Sequence, residues 1–205
     1  SKAMIDVAGR PLVDYAVRFA ERSGAARVVV VGGFRFAELE GFLKKTHPRV
    51  RLVPNQEFRA GNLVSLEAAL AVVPLESAYL IMNTDHIYRP GVADKVRETA
   101  RVAGDVTAFC DFDRALGHDD MKVELDARRQ VTSMSKRLER WDCGYVGMTF
   151  VPASLAFAHR QALQNVRQRA GEQAVVEEVL VELARMHHAP HIADISGIGW
   201  LEIDE

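Results

Sequence analysis

Cysteine is nearly absent from the chain. Cys110 and Cys143 are the only two, and no Cys-x-x-Cys pair occurs. Two thiols this far apart make neither a disulfide framework nor a clustered zinc site, so two free, buried thiols are expected. A reducing compartment, the cytoplasm, is the expected location. No apolar run approaches the roughly 18 residues that cross a bilayer. Charge of one sign is also lacking: 26 Lys and Arg stand against 28 Asp and Glu, for a net charge of −2. Basic blocks and basic–aromatic interleaving are missing, so neither nucleic acid nor a membrane is expected as a partner of this chain. Pro, Gly and Ser never gather into a linker, and there is no internal repeat. One domain over residues 1–205 is the reading, and 48% hydrophobic residues suffice for a substantial core.

What is present alternates between helix and strand signals. Helical spacing of apolar residues predicts helices over 11–24, 36–45, 63–73, 154–165 and 173–186. β-Branched or apolar runs predict strands over 27–31, 50–53, 78–83 and 106–110. Residues 121–125 and 131–135 read as a hairpin, followed by strands over 143–150, 191–195 and 200–203. Alternation of this kind implies a parallel, three-layer α/β sheet with right-handed crossovers. The later hairpin adds a small inserted antiparallel portion.

Two places carry candidate chemistry. The apolar run Ala78-Tyr-Leu-Ile-Met-Asn-Thr stops at Asp85, followed by His86. Open α/β sheets bind ligands at the carboxyl ends of their strands. Glu202 and Asp204 alternate with Leu201 and Ile203, so both carboxylates face one side of a strand. Adjacent like charges favour a shared cation. Asp85, Glu202 and Asp204 are therefore candidate ligands of one Mg²⁺, which takes a few carboxylates plus phosphate and water oxygens. The plain alternatives are a helix-capping Asp85 and a solvated edge strand. Asp111-Phe-Asp113 matches the Asp-x-Asp of metal-dependent glycosyltransferases, after a different strand. His187, His188 and His191 lack zinc-ligand spacing because of Pro190.

Five segments in order resemble the sugar-phosphate and alcohol-phosphate nucleotidylyltransferases, and most closely the cytidylyltransferases acting on inositol 1-phosphate, phosphocholine or aminoethylphosphonate. They are Lys2 with Val7, Gly9, Pro11, Leu12 and Tyr15; Asn55 with Gly61-Asn62, Ser65 and Leu66; Asp85-His86; Asp120-Met-Lys-Val123 with Ser135-Lys136; and Trp200-x-Glu-x-Asp204. The resemblance implies a Rossmann-like αβα sandwich of the nucleotide-diphospho-sugar transferase (GT-A-like) type with a mixed sheet. It implies Mg²⁺-dependent transfer of CMP from CTP to a phosphorylated small alcohol. Lys2 would meet the nucleotide phosphates; Lys136, and less directly Lys122, the acceptor phosphate. Gly61, Asn62 and Ser65 would meet the pyrimidine and ribose, with Arg59 as a loop cation. His86 would contact phosphate or acceptor hydroxyls. Asp142-Cys-Gly resembles the inositol branch and would accept from polyol hydroxyls, whereas Trp141 would favour the ammonium of phosphocholine. The family's first strand and glycine-rich loop have no counterpart from Ser1 onward and are expected upstream. A sugar-1-phosphate enzyme using another nucleotide, a glycosyltransferase and a non-catalytic nucleotide-binding domain stay open, as does a homodimer.

Overall fold

The structure is a computed structural model that describes residues 2–171 and 174–203. Its frame is a six-stranded mixed sheet, and the nine-residue strand Cys143–Val151 is the spine of that sheet. In chain order the strands are β1 (Asp6–Val7), β2 (Arg10–Pro11), β3 (Val29–Gly32), β4 (Arg51–Pro54), β5 (Tyr79–Met82), β6 (His86–Tyr88), β7 (Thr107–Asp111), β8 (Lys122–Leu125), β9 (Val131–Ser135), β10 (Cys143–Val151), β11 (His191–Asp194) and β12 (Trp200–Glu202). The helices are α1 (Leu12–Arg22), α2 (Phe36–Thr46), α3 (Asn62–Leu70), α4 (Pro90–Val102), α5 (Ala156–Ala170) and α6 (Val176–Arg185).

The main sheet runs β11-β7-β10-β8-β9, with β5 also paired to β10. Every pairing of β10 is antiparallel, and only β7 with β11 is parallel in this sheet. The alternation rule therefore overstated the parallel content: β10 enters from the inserted hairpin and runs against the strands beside it. β3 and β4 pair in parallel as a separate two-stranded sheet. All nine residues of β10 are buried. Helices α3, α5 and α6 cover one face, around Leu63, Val123, Leu163, Val166, Leu180 and Leu183. Phe19 of α1 with Val92 and Val96 of α4 covers the other, against Phe109, Val146 and Met148. At about 25 cal/mol per Å² of apolar area, these two packed layers are the main favourable term. Cys110 and Cys143 are free and buried, as expected, and burial pushes the Cys110 thiol well above its ordinary range.

The β1–β2 hairpin, helix α4 and strand β6 went unmarked in the sequence. Ala8 and Gly9 both take positive φ (52° and 82°), the requirement of a type I′ turn, and join β1 to β2. Pro90 opens α4 at its first turn. β6 pairs with β12, antiparallel, in a ribbon apart from the main sheet. The start of the helix expected at Gln173 lies outside the described residues; within them α6 begins at Val176.

Candidate active site

The chain leaves β5 at Met82 and turns at once into β6. Asn83 N–H donates to the Gly147 carbonyl (3.0 Å), tying this turn to a bulge in β10. Gly147 has φ +70°, and a Cβ there would stand 2.8 Å from Asn83 Nδ2 and 3.0 Å from His86 Nε2. Glycine is required both by its backbone and by the closeness of the turn.

Beyond this turn the structure brings together Lys2, Asp85, His86 and Glu202. Lys2 Nζ lies 3.1 Å from Asp85 Oδ2, and His86 Nδ1 lies 2.6 Å from Asp85 Oδ1. In the β6–β12 ribbon Glu202 is directly opposite His86, with Oε2 3.9 Å from Nε2. Ile203 N–H closes the ribbon by donating to the Asp85 carbonyl (2.9 Å). Donor atoms of Asp85, His86 and Glu202 lie within 4.8 Å of one another, close enough to surround one cation. Burial raises the Asp85 carboxyl, but hydrogen bonds and charge from His86 and Lys2 outweigh it and bring the group down to about 2. Two carboxylates around one point fit the oxygen preference of Mg²⁺. Asp204 lies outside the described residues.

Other sequence candidates are engaged in holding the fold. Lys122 is buried, and its ammonium donates to the carbonyls of Gly117 (2.7 Å) and Lys136 (2.8 Å), under the ring of Trp141. It clasps the turn that presents Lys136, whose own side chain is exposed and whose charge reaches Glu177. Gly61 adopts φ 86° just before α3. Asn62 accepts from Val176 N–H (3.0 Å), so it caps α6 across the molecule. Ser65 accepts from the Asn55 amide (3.1 Å) in the 55–61 loop, where Arg59 lies over Phe58. One Asp142 oxygen accepts from Leu125 N–H (2.8 Å).

Asp111 takes three donors: Asp113 N–H, Arg114 N–H and Trp200 Nε1–H, at 2.9, 3.2 and 2.9 Å. A carboxylate so filled is the keystone of its loop, and the Asp-x-Asp of the glycosyltransferase alternative loses its first ligand to this work. Sequence reasoning missed Arg114 and Gly147, and read Asp111 only as the start of an Asp-x-Asp. Asp111 closes an apolar strand just as Asp85 closes another, and that signal was available.

A Rossmann-like α/β sheet that gathers carboxylates and a lysine beyond the end of β5 has a geometry suited to a cation and phosphate oxygens. The chain belongs to the MobA-like NTP transferase domain family, whose profile matches residues 1–189, and is thereby a nucleotidyltransferase. A "Bifunctional IPC transferase and DIPP synthase" of Rubrobacter xylanophilus is 28% identical over 207 residues, covering 99% of this chain and 44% of that protein. A protein of the same description from Thermococcus kodakarensis is 25% identical over 205 residues, again with 99% and 44% coverage. The chain thus spans less than half the length of these relatives. Among solved structures, the inositol-1-phosphate CTP transferase of T. maritima superimposes with a TM-score of 0.80 at 16% identity, over all of this chain and 80% of that one. The CTP:phosphocholine cytidylyltransferase of Streptococcus pneumoniae gives 0.70 at 16% identity, over all of this chain and 84% of that one. These two likenesses establish the fold. No helix among the described residues is long and apolar enough to cross a membrane.

Proposed function

We propose that this domain transfers CMP from CTP to a phosphorylated small alcohol, inositol 1-phosphate first, with Mg²⁺ and release of pyrophosphate. The observation that carries the reading is the convergence of Lys2, Asp85, His86 and Glu202 at the carboxyl end of β5. A phosphate oxygen of the acceptor attacks the α-phosphorus of CTP. The bond from that phosphorus to the bridging oxygen breaks, and pyrophosphate leaves with the electron pair. Both reactants are anions, so the protein's work is alignment and charge cancellation. Asp85 and Glu202, joined by Asp204, would hold Mg²⁺, which neutralises phosphate charge when bound. Lys2, drawn to Asp85 and half-exposed, turns its ammonium to the nucleotide phosphates. Lys136, set by the Lys122 clasp, meets the acceptor phosphate. Gly61, Asn62 and Ser65 flank the nucleoside, and His86 orients Asp85.

Choice of inositol 1-phosphate over phosphocholine is supported by Trp141. Its ring already faces the Lys122 ammonium at 5.2 Å, which competes with a choline cation. Asp142 keeps one carboxylate oxygen for a polyol hydroxyl. The names of the curated relatives and of the T. maritima structure point the same way. Free Cys110 and Cys143 suit a cytoplasmic setting. The test is pyrophosphate release by the full chain with Mg²⁺, each NTP in turn, and inositol 1-phosphate, phosphocholine, aminoethylphosphonate or hexose 1-phosphates. Release with CTP and inositol 1-phosphate, lost in Asp85→Ala, is expected. Release with a hexose 1-phosphate and another NTP moves the assignment to sugar activation, and silence across the panel from folded protein that carries the glycine-rich loop refutes the reading.

A further inference from the structure

The ribbon that carries His86 and Glu202 is three residues wide on each strand and forms no ladder with the main sheet among the described residues. Side chains fasten it instead. Tyr88 Oη donates to the Val146 carbonyl (2.7 Å), and Trp200 Nε1–H donates to Asp111 Oδ2 (2.9 Å). The Trp200 indole is parallel to the His86 imidazole, 3° between planes and 5.3 Å between centroids. Arg114 also lies over that indole, 4.2 Å from its centroid, and reaches Asp120 at 3.6 Å. Asp111 is buried, and its other oxygen is fixed by the N–H groups of Asp113 and Arg114.

We propose that Asp111 and Trp200 are positioning residues for the Asp85–His86–Glu202 cluster: the carboxylate fixes the indole, and the indole fixes the plane of the imidazole that holds Asp85. The proposal rests on the reading of this cluster as a divalent-cation site. A His86 ring turned out of its plane loses the stack and the Asp85 contact together. Asp85 then keeps its Lys2 contact but loses the one that sets Oδ1 on the Glu202 side. Partners behind metal ligands typically govern about 10–100-fold in metal affinity.

Asp111→Asn isolates the pin. Its remaining oxygen keeps the two backbone donors, while its amide confronts the indole N–H, donor against donor. Trp200→Phe removes that N–H and keeps an aromatic ring for the stack. Asp111 and Trp200 touch, so the two substitutions couple in stability whatever the role; a pin makes that coupling appear in Mn²⁺ affinity and in the His86 resonance as well. Mn²⁺ affinity of the full chain is read by electron paramagnetic resonance. The upfield ring-current shift of the His86 Cε1 proton is read by NMR without metal, with far-UV circular dichroism to check folding. Asp111→Asn is expected to weaken Mn²⁺ binding about tenfold or more and to relax the His86 shift. Trp200→Phe should lose less, and the double variant should match Trp200→Phe alone. Unchanged Mn²⁺ affinity, an unchanged His86 resonance, or additive losses in the double variant each overturn the positioning role. A wild-type chain that binds no Mn²⁺ strikes the cation reading beneath it.

Discussion

Asp85 sits half-buried between an ammonium and an imidazole, where a carboxyl is usually pushed toward neutrality by burial. Hydrogen bonds and charge from His86 and Lys2 reverse that, so it remains ionised down to about pH 2. In a nucleotidyl-transfer site that charge is the useful property, because a neutral carboxyl binds no hard cation. Asp85→Asn should lower pyrophosphate release by about 100-fold or more, the scale of losing one fixed electrostatic partner, in the steady-state assay. The same group also sets an acid limit on stability. Its folded value lies below the ordinary 3.8, so it stabilises the fold above about pH 3.8 and that contribution is lost as pH falls toward 2.

His159 is a second residue whose environment has thermodynamic consequences. It is buried beside Tyr79, with Nδ1 3.0 Å from the hydroxyl, and burial lowers it to about 4. Above about pH 6.5 both folded and unfolded chains keep it neutral. Between 6.5 and 4 only the unfolded chain takes up the proton, so stability falls with pH by up to roughly 3 kcal/mol. Urea unfolding of His159→Phe should show a flatter stability profile across that window than the wild type. At neutral pH the variant should be less stable by about 1–3 kcal/mol, because Tyr79 loses its partner.

Among elements, β10 decides where the site opens. Its bulge at Gly147 admits the turn after β5 and lets Asn83 and His86 press against the backbone. Gly147→Ala should cost roughly 2–4 kcal/mol, combining positive-φ strain with overpacking. The loss appears as a lower thermal midpoint, with pyrophosphate release falling further than stability alone explains. Most long elements were legible because their patterns are local: α1 from its helical apolar spacing, β3 and β7 from β-branched and apolar runs, β9 to the residue; α4, thirteen residues long, was not. The β6–β12 ribbon was partly opaque. Trp200–Glu202 alternates visibly, but three residues after Asp85 carry no periodicity, and the partner lies over a hundred positions away. Lys122 was illegible for a related reason. Its buried ammonium is satisfied by two backbone carbonyls that no side-chain pattern announces. Asn62 was read as a nucleoside contact, and the α6 amide it caps is known only from the folded chain.

At the scale of the whole molecule, stability and chemistry are housed in different parts. The core is the β10-centred sheet between two helical layers, whereas the cluster rides on a short ribbon attached through Tyr88 and Trp200 and closed on itself by the Ile203–Asp85 backbone bond. Local opening free energies track buried contacts, so the ribbon should open far more often than β10. Hydrogen exchange should therefore find Ile203 and Arg89 amides, which bond Asp85 and Gly199, exchanging well ahead of Thr149 and Phe150, paired on both sides, in metal-free protein. On the proposed reading, Asp85 on one strand and Glu202 on the other would together hold a cation, which would favour the closed form of the ribbon. Mg²⁺ with CTP should then slow exchange at Ile203 in proportion to occupancy, about 100-fold at a hundred times the dissociation constant, and leave β10 unchanged until global unfolding takes over. Chelation should restore the fast exchange. Protection confined to the 55–61 loop, with none at Ile203, would place the nucleotide away from the carboxylates and detach cation binding from this ribbon.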